Sequence, residues 1–481
     1  AFKSRYIADF SIRRDGTTKF GDNKRWGNFP ALSFRWNVVD EPWMRGTQKW
    51  LSMLSLRPGW GRVGSQPTDE YLFFSKYTGT DSYNGANSIY PSNIRLSNLQ
   101  WEEKETWNVG FDLGLFNNMI TADFNIYTQM TSKLLMRDVK LPSSSGFSSL
   151  SWTNVGKMRN NGWEFNVNGT DVVKVGKFRL GFNVTFANNK NEIVEMDPTA
   201  LSSLNKDFDN KNGSYLTRIQ LNNPFGAIYG FRYKGVYQYS DYSDVEVPGV
   251  SGPNAPVARD ENGNVIRDKA GFTIPMVFGY DKTTNTELYE FQGGDAIYED
   301  INHDGNINEL DIVYLGSSLP KITGGWGLKF SYGRWSLNAQ FNFRVGNKVI
   351  NEARMNAESM YNNNNQAASV NWRWRTEGQL AEIPRALYNK GFNYLGSDRF
   401  VEDASFMRLN YLSLGYSLNP KLLRRIGVTS LSINLNASNL FCLTNYSGAD
   451  PEVSYGGMNV ATDGAKTPRS RQFTARVQIG F

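Results

Sequence analysis

The amino-acid sequence predicts an all-β fold, an antiparallel transmembrane β-barrel to which this chain supplies about twelve strands. Three features of the sequence predict it. Apolar and polar residues alternate along several long runs, the connections between these runs alternate between short and long, and aromatic residues make up 14% of the chain. A strand that faces lipid on one side and water on the other needs this alternation, and a barrel that crosses a bilayer has such unequal connections.

Alternation of apolar and polar residues is clearest at the end of the chain. Phe473, Ala475, Val477, Ile479 and Phe481 share one face of the predicted strand. Residues 107–115, 178–186, 335–343 and 431–437 repeat the pattern, and residues 406–418 shift it once, which predicts a β-bulge. A tilted strand needs about nine to eleven residues to cross a bilayer. The competing interpretation is a soluble sandwich, whose apolar faces would pack on each other.

The connections between the predicted strands favour the membrane barrel. Short turns occur at residues 116–119, 173–177 and 332–334, with somewhat longer ones at 39–49 and 419–428. Long connections lie between them, at residues 15–27, 65–99, 133–152, 189–320, 346–403 and 442–471. In outer-membrane barrels, short turns face the periplasm and long loops face outward. The last strand therefore runs inward and places Phe481 at the periplasmic rim.

Composition excludes several classes of function. The chain has one cysteine, Cys442, and one histidine, His303, which excludes an intrachain disulfide and most histidine-based triads and zinc sites. We expect Cys442 to be a small, partly buried residue and His303 to face solvent. The net charge of +6 is spread without a dense basic tract, which argues against a nucleic-acid partner. No phosphate loop or paired acid and base appears, so we expect no enzyme.

The sharpest local motif is an acidic loop at residues 300–311. Oxygen-bearing side chains stand at the spacing of a calcium-binding loop, at Asp300, Asn302, Asp304, Asn306 and Asp311. Gly305 permits the tight turn that such a loop needs. Position twelve is aspartate instead of the usual glutamate. The motif predicts a structural Ca²⁺ or Mg²⁺ with no catalytic role. The alternative is a turn rich in Asn and Asp that is held by its own hydrogen bonds.

Two other segments lead to expectations. The connection at 189–320 is far longer than a structureless loop inside a domain, so it should fold as a large extracellular loop, with a β-like stretch at 228–239. The tract Trp372-Arg373-Trp374-Arg375 could bind a ligand by stacking and charge, although we favour aromatic anchoring or packing. The chain also begins inside a predicted strand, at residues 2–13, and we expect an N-terminal part to precede it.

Several segments in order along the chain resemble one family, the SusC/RagA family of TonB-dependent outer-membrane transporters. They are residues 13–21 (RRDGTTKFG), 25–30 (RWGNFP), 98–102 (NLQWE), 161–165 (NGWEF), 226–231 (GAIYGF), the acidic loop 300–311, 404–409 (ASFMRL) and 448–452 (GADPE). Each is weak alone, but together they span nearly the whole chain and keep the family's order.

The resemblance implies a fold and a function. Residues 1–481 would be the C-terminal part of a barrel similar to 22-stranded ones, with the plug absent from this chain. The protein would import oligosaccharides or oligopeptides across the outer membrane of a Gram-negative bacterium. Implied partners are a SusD-like surface lipoprotein, the TonB complex and outer-membrane lipid, with a dimer of transporter–lipoprotein pairs as a further expectation. The alternatives are a scaffold in a surface assembly without transport activity, and a self-contained twelve-stranded pore or outer-membrane enzyme.

Overall fold

The computed structural model describes residues 1–83, 86–205, 208–242, 256–279, 286–423, 427–453 and 460–481. These residues contain one large antiparallel sheet of twelve strands, each paired with its neighbours along the chain. The strands are β1 (Tyr6–Gly16), β2 (Trp26–Asn37), β3 (Leu51–Ser65), β4 (Glu102–Leu115), β5 (Ile120–Ser132), β6 (Lys157–Val175), β7 (Phe178–Glu195), β8 (Ile322–Tyr332), β9 (Trp335–Val345), β10 (Phe406–Ser417), β11 (Ser430–Thr444) and β12 (Gln472–Gly480). The predicted all-β fold and the strand number are confirmed.

The connections alternate as predicted. Tight turns join β4 to β5, β6 to β7 and β8 to β9, and short helical segments join β2 to β3 and β10 to β11. The first of these turns holds Phe116, Asn117 and Asn118 at φ of 52°, 56° and 60°, a left-handed conformation that asparagine tolerates better than phenylalanine does. All long loops emerge at the opposite end. The predicted connections 65–99, 189–320, 419–428 and 442–471 lie partly outside the described residues.

One face of the sheet carries a continuous belt of exposed apolar side chains. Residues directly opposite in an antiparallel ladder share a face. Aligned side chains include Phe10, Leu32, Trp60 and Trp107 across β1 to β4, and Phe111, Phe124, Phe165 and Phe186 across β4 to β7. Trp107 is 57% exposed and Phe473, on β12, is 73% exposed. No second sheet covers this belt among the described residues, so the soluble-sandwich interpretation is wrong.

Strand β10 contains the predicted bulge. Leu409 pairs with Phe341 of β9 and Tyr411 pairs with Gln340, so Asn410 has no partner in that ladder. The extra residue returns Leu412 to the apolar face while Tyr411 points to the opposite face, where its hydroxyl donates to Asn436. Strands β1 and β12 lie at the two ends of the sheet order and are not paired with each other among the described residues.

The connections between the twelve strands carry short elements of their own. The strands are Tyr77–Tyr83, Ala86–Pro91, Leu135–Lys140, Ser149–Asn154, Ala227–Gly230, Tyr233–Val236, Val277–Phe278, Tyr289–Glu290, Ala296–Tyr298, Asn306–Ile307, Val313–Ser317, Lys348–Ile350 and Val401–Asp403. The helices are α1 (Pro198–Leu204), α2 (Glu352–Glu358) and α3 (Pro420–Leu423), and the 3-10 helices are Asp22–Lys24, Val38–Asp40, Pro42–Thr47, Ser143–Ser145, Tyr239–Tyr242, Glu309–Asp311, Ala368–Trp372 and Asp398–Phe400. Within the described ranges, none of these helices has the length and apolarity to cross a membrane.

The described residues of the loop between β7 and β8 pack around an apolar core. Phe231, Phe278, Phe291, Ile307 and Leu395 are fully buried in this core. Leu395 comes from the loop between β9 and β10, so two long loops share one core. We call this unit the loop cap. It contains the β-like stretch expected at 228–239, as the strands Ala227–Gly230 and Tyr233–Val236.

Candidate functional site

We call the large twelve-stranded sheet the wall, and its face opposite the apolar belt the inner face. The inner face is polar, and several of its charged side chains are paired. Asp112 of β4 is buried and accepts hydrogen bonds from Arg57 Nη2 at 2.7 Å and from Ser55 Oγ at 2.8 Å. Arg35 Nη2 of β2 lies 3.2 Å from the same carboxylate. Two guanidinium groups therefore converge on one carboxylate, and three strands are tied together at this level.

A groove of about 650 Å³ runs along the inner face of β1 to β4. Arg35 and Arg57 line it together with Asp9, Lys104 and Thr106. Two glycines of β3, Gly59 and Gly61, also contribute to its lining. Charged and hydroxyl side chains along this groove can hydrogen-bond a polar solute at several points.

A second polar groove of about 340 Å³ lies on the inner face of β6 to β9. Here Arg179 pairs with Asp171 at 3.1 Å, and Lys329 adds a further positive charge to the lining. Farther along the same strands, Asn183 and Gln340 exchange hydrogen bonds. The inner face is therefore polar at both grooves, along β1 to β4 and along β6 to β9.

The loop cap is held together by buried charged side chains. Asp295 is fully buried and accepts from Arg385 Nε at 2.7 Å, while the Tyr289 hydroxyl donates to the same carboxylate at 2.7 Å. Burial raises the pKa of Tyr289 above its ordinary value. Asn393 donates to Asp295 as well, at 3.3 Å. A buried carboxylate with these partners fixes the relative position of the two loops that form the cap.

The acidic loop 300–311 closes on itself through its carboxylates. Asp300 accepts from the backbone N–H groups of Asp304 and Gly305, at 3.3 and 2.8 Å. Asp311 accepts from those of Ile301 and Asn308, at 2.8 and 2.9 Å. These are the bonds expected of a turn held by its own side chains, so that alternative accounts for the loop's shape without an ion.

The same loop concentrates negative charge around a buried group. Asp311 is fully buried, and burial, followed by the charges of Asp300 and Asp304, raises its pKa to about 6. Asn306 is buried and Asn302 is exposed. Over the described ranges, no three carboxylate, imidazole or thiol groups are already placed to hold one ion. A cation would therefore need amide or carbonyl oxygens in addition to the carboxylates.

The remaining singled-out residues divide between structural and accessible positions. Cys442 lies within β11 and is a free, partly buried thiol. His303 is half-buried, and its Nδ1 lies 3.1 Å from the carbonyl oxygen of Arg259. Trp374 is buried and donates to Gln238, as packing predicts, but Trp372 is 79% exposed. The tract therefore splits into one packing residue and one accessible indole.

Sequence reasoning did not single out the charged residues of the inner face or of the cap. Arg35, Arg57 and Asp112 stand at polar positions within alternating runs, and a charge at such a position was the available signal. Asp295 and Arg385 had none, because their pairing joins two loops 90 residues apart.

The family model described as TonB dependent receptor-like, beta-barrel matches residues 1–274. TonB-dependent receptor P39 of Formosa agariphila is 28% identical over 495 residues, covering 100% of this chain and 45% of the relative. TonB-dependent receptor SusC of Bacteroides thetaiotaomicron is 26% identical, covering 99% of this chain and 42% of the relative. The chain thus spans less than half the length of these curated relatives.

The fold agrees with a solved transporter. The structure of the RagAB peptide transporter matches 100% of this chain and 46% of its own chain, with a TM-score of 0.75 at 24% identity. At that identity the match shows the fold alone. The relatives are named as receptors, and the family resides in the outer membrane, which agrees with the exposed apolar belt. The chain belongs to the TonB dependent receptor-like, beta-barrel family, with SusC among its relatives.

Proposed function

We propose that the protein containing this chain is a SusC-like importer that takes up oligosaccharides or oligopeptides across the outer membrane. The observation that carries the proposal is the polar inner face with its two grooves, in a chain of this family. An importer for large polar solutes needs many weak hydrogen bonds and no deep apolar trap along its path. The guanidinium groups of Arg35 and Arg57 are already paired with Asp112, so they can bind a passing solute only weakly.

The proposed mechanism assigns a role to each side of the wall. A solute is captured at the loop cap, which faces outward beneath a SusD-like surface lipoprotein. Energy from the TonB complex then opens the path, and the solute moves along the inner face. Residues 189–320 act in this scheme as a folded extracellular unit. The apolar belt contacts outer-membrane lipid, and the pairs of transporter and lipoprotein form a dimer. The name of the RagAB peptide transporter is compatible with such pairing.

Uptake and co-purification test this function. The gene is deleted in its native host, and uptake of fluorescent oligosaccharides and oligopeptides is measured with and without depletion of TonB. We expect uptake of one substrate class to be lost both in the deletion strain and after depletion of TonB. We also expect a surface lipoprotein to co-purify with the protein in mild detergent. Unchanged uptake of both classes in the deletion strain, together with loss of a surface assembly, would instead support the scaffold.

We also propose that the acidic loop binds a structural Ca²⁺, with Mg²⁺ as a weaker competitor. The candidate ligands are Asp300, Asn302, Asp304, Asn306 and Asp311. Support comes from the calcium-loop spacing of these residues and from the burial of Asp311 in the same loop as Asp300 and Asp304, because a divalent cation would offset the repulsion among the three carboxylates. The ion would supply no catalysis. It would hold the strand Asn306–Ile307 against the core of the cap.

Limited proteolysis tests the ion site. The purified protein is digested with excess calcium or with chelator, and cleavage within residues 256–321 is compared by mass spectrometry. We expect calcium to slow cleavage several-fold in the wild type and to have no effect in Asp300→Ala/Asp304→Ala. Asp260→Ala, in a neighbouring exposed turn, is the matched control and should keep the calcium response. Equal cleavage rates in calcium and chelator for the wild type would refute the site.

A further inference from the structure

The loop cap contains a cleft of about 740 Å³ that none of the proposed roles above explains. The strand Tyr233–Val236, helix α2 and the 3-10 helix Ala368–Trp372 surround it. Its rim is apolar and open to solvent, because Trp372 is 79% exposed and Leu380 is 99% exposed. Trp372 and Leu380 both line the cleft, so they offer an apolar surface on which a group outside the chain can pack.

The floor of the cleft is charged and buried. The side chain of Arg399 is 6% exposed, and its Nη2 donates to Glu358 Oε2 at 2.7 Å. The guanidinium group lies over the rings of Tyr233, Tyr394 and Phe400, at 5.3, 5.6 and 4.9 Å from their centroids. Its Nη1 is buried, and no acceptor for it occurs in the described part of the protein. A buried donor without a partner is costly, so a bound acceptor would be favourable there.

The groups around Arg399 are held in place before any ligand arrives. Glu358 Oε1 accepts from Arg354 Nε at 3.0 Å and from Ser369 Oγ at 3.3 Å. The Tyr233 hydroxyl donates to the carbonyl oxygen of Glu382 at 2.6 Å, and burial raises the pKa of Tyr233 to about 12, so it remains a donor. A polar floor that is already ordered loses little entropy when it binds a solute.

We propose that this cleft binds one sugar ring of an oligosaccharide, with the ring stacked on Trp372 and its hydroxyl groups directed to the floor. The inference rests on the proposed import function and names the substrate class. The C–H face of a pyranose is apolar and matches an indole, while its hydroxyl groups both donate and accept. The floor offers the same mixture through Arg399, Arg354, Ser369 and Glu358. A peptide would satisfy the apolar rim but has no comparable row of hydroxyl groups for the floor.

Binding measurements on the protein purified from outer membranes test the proposal. The probes are maltohexaose, cellohexaose, xylohexaose, mannohexaose and a galacturonate hexamer, with a decapeptide library as the comparison, and affinity is measured by calorimetry. We expect at least one hexasaccharide to bind and Trp372→Ala to weaken it at least tenfold, with partial recovery in Trp372→Phe. Trp43→Ala is the matched control, because Trp43 is 65% exposed in the turn between β2 and β3, at the opposite end of the wall.

Three results would overturn the inference. They are no binding of any hexasaccharide by the wild type, equal affinity in wild type and Trp372→Ala, and a dependence on Trp372 that appears only with peptides. Uptake in cells separates this failure from failure of the import function. If Trp372→Ala cells import the sugar with wild-type affinity, the cleft proposal alone fails. If wild-type cells import neither sugars nor peptides, the import function fails.

Discussion

Removal of the negative charge of Asp112 should destabilise the wall, because this carboxylate pairs with the guanidinium groups of Arg35 and Arg57. Asp112→Asn keeps the shape of the side chain and can still accept from Ser55. It loses the charge-assisted bond to Arg57 at 2.7 Å, a type that contributes about 1.5–3 kcal/mol. The Arg57 side chain is 33% exposed, so solvent screening favours the lower end of that range. Arg35, 39% exposed, adds about 0.2–1 kcal/mol. We expect a total loss of about 2–3 kcal/mol.

Urea titration in detergent micelles, followed by tryptophan fluorescence, measures this loss as a change in the free energy of unfolding. Asp123→Asn is the matched control. Asp123 lies directly opposite Asp112 on β5, but it contacts only the amides of Asn125 and Asn166, with no cation among its described contacts. Its replacement should cost less than about 1 kcal/mol. The reasoning is refuted if both variants lose the same stability, or if Asp112→Asn and Arg57→Gln show additive effects in the double variant.

Three further changes have clear expected outcomes. Gly324→Ala should reduce the amount of assembled barrel in outer membranes several-fold, because a Cβ there would lie 2.2 Å from a backbone oxygen of β7. Gly46 has open space around it, so the control variant Gly46→Ala should assemble normally. Val184→Arg on the apolar belt should cost about 2–4 kcal/mol near the bilayer centre and reduce the heat-modifiable form, while Asn183→Arg on the inner face should not. The Tyr6 hydroxyl donates to Glu41 and lowers the pKa of this carboxyl below its ordinary 4.5. The stability that the ionised Glu41 contributes is therefore present above pH 4.5 and is lost as the pH falls through the pKa of the folded state. Hydrogen exchange of the turn at 38–50 should therefore accelerate in acid, and Glu41→Gln should remove this acid-dependent step.

The wall was predictable because its governing rule is local. Side chains alternate with period two, so the faces of β9 and β12 can be recognised in about ten residues of sequence. Even the bulge in β10 leaves a local trace, since Leu409 and Leu412 cannot share a face in a regular strand. The number and order of strands follow from the same pattern and from the turns.

The candidate sites were less predictable because their contacts join distant segments. Arg399 meets Glu358 across 41 residues, and no period or motif signals that pairing. The Trp372 and Trp374 pair shows the same limit, because identical residues two positions apart differ only in what the folded cap places against them. In the acidic loop, spacing predicts ligands, but the same carboxylates also satisfy the loop's own backbone.

The unpaired Asn410 makes β10 tolerant of changes in chain length at one point. On one side of it lipid-facing residues stand at odd numbers, and on the other side they stand at even numbers. A one-residue deletion elsewhere in a regular strand exchanges every lipid-facing and water-facing side chain beyond it. Deletion at Asn410 would instead leave a regular ladder with β9 and keep both faces. Length variation among related strands should therefore accumulate at this position and be excluded from its neighbours.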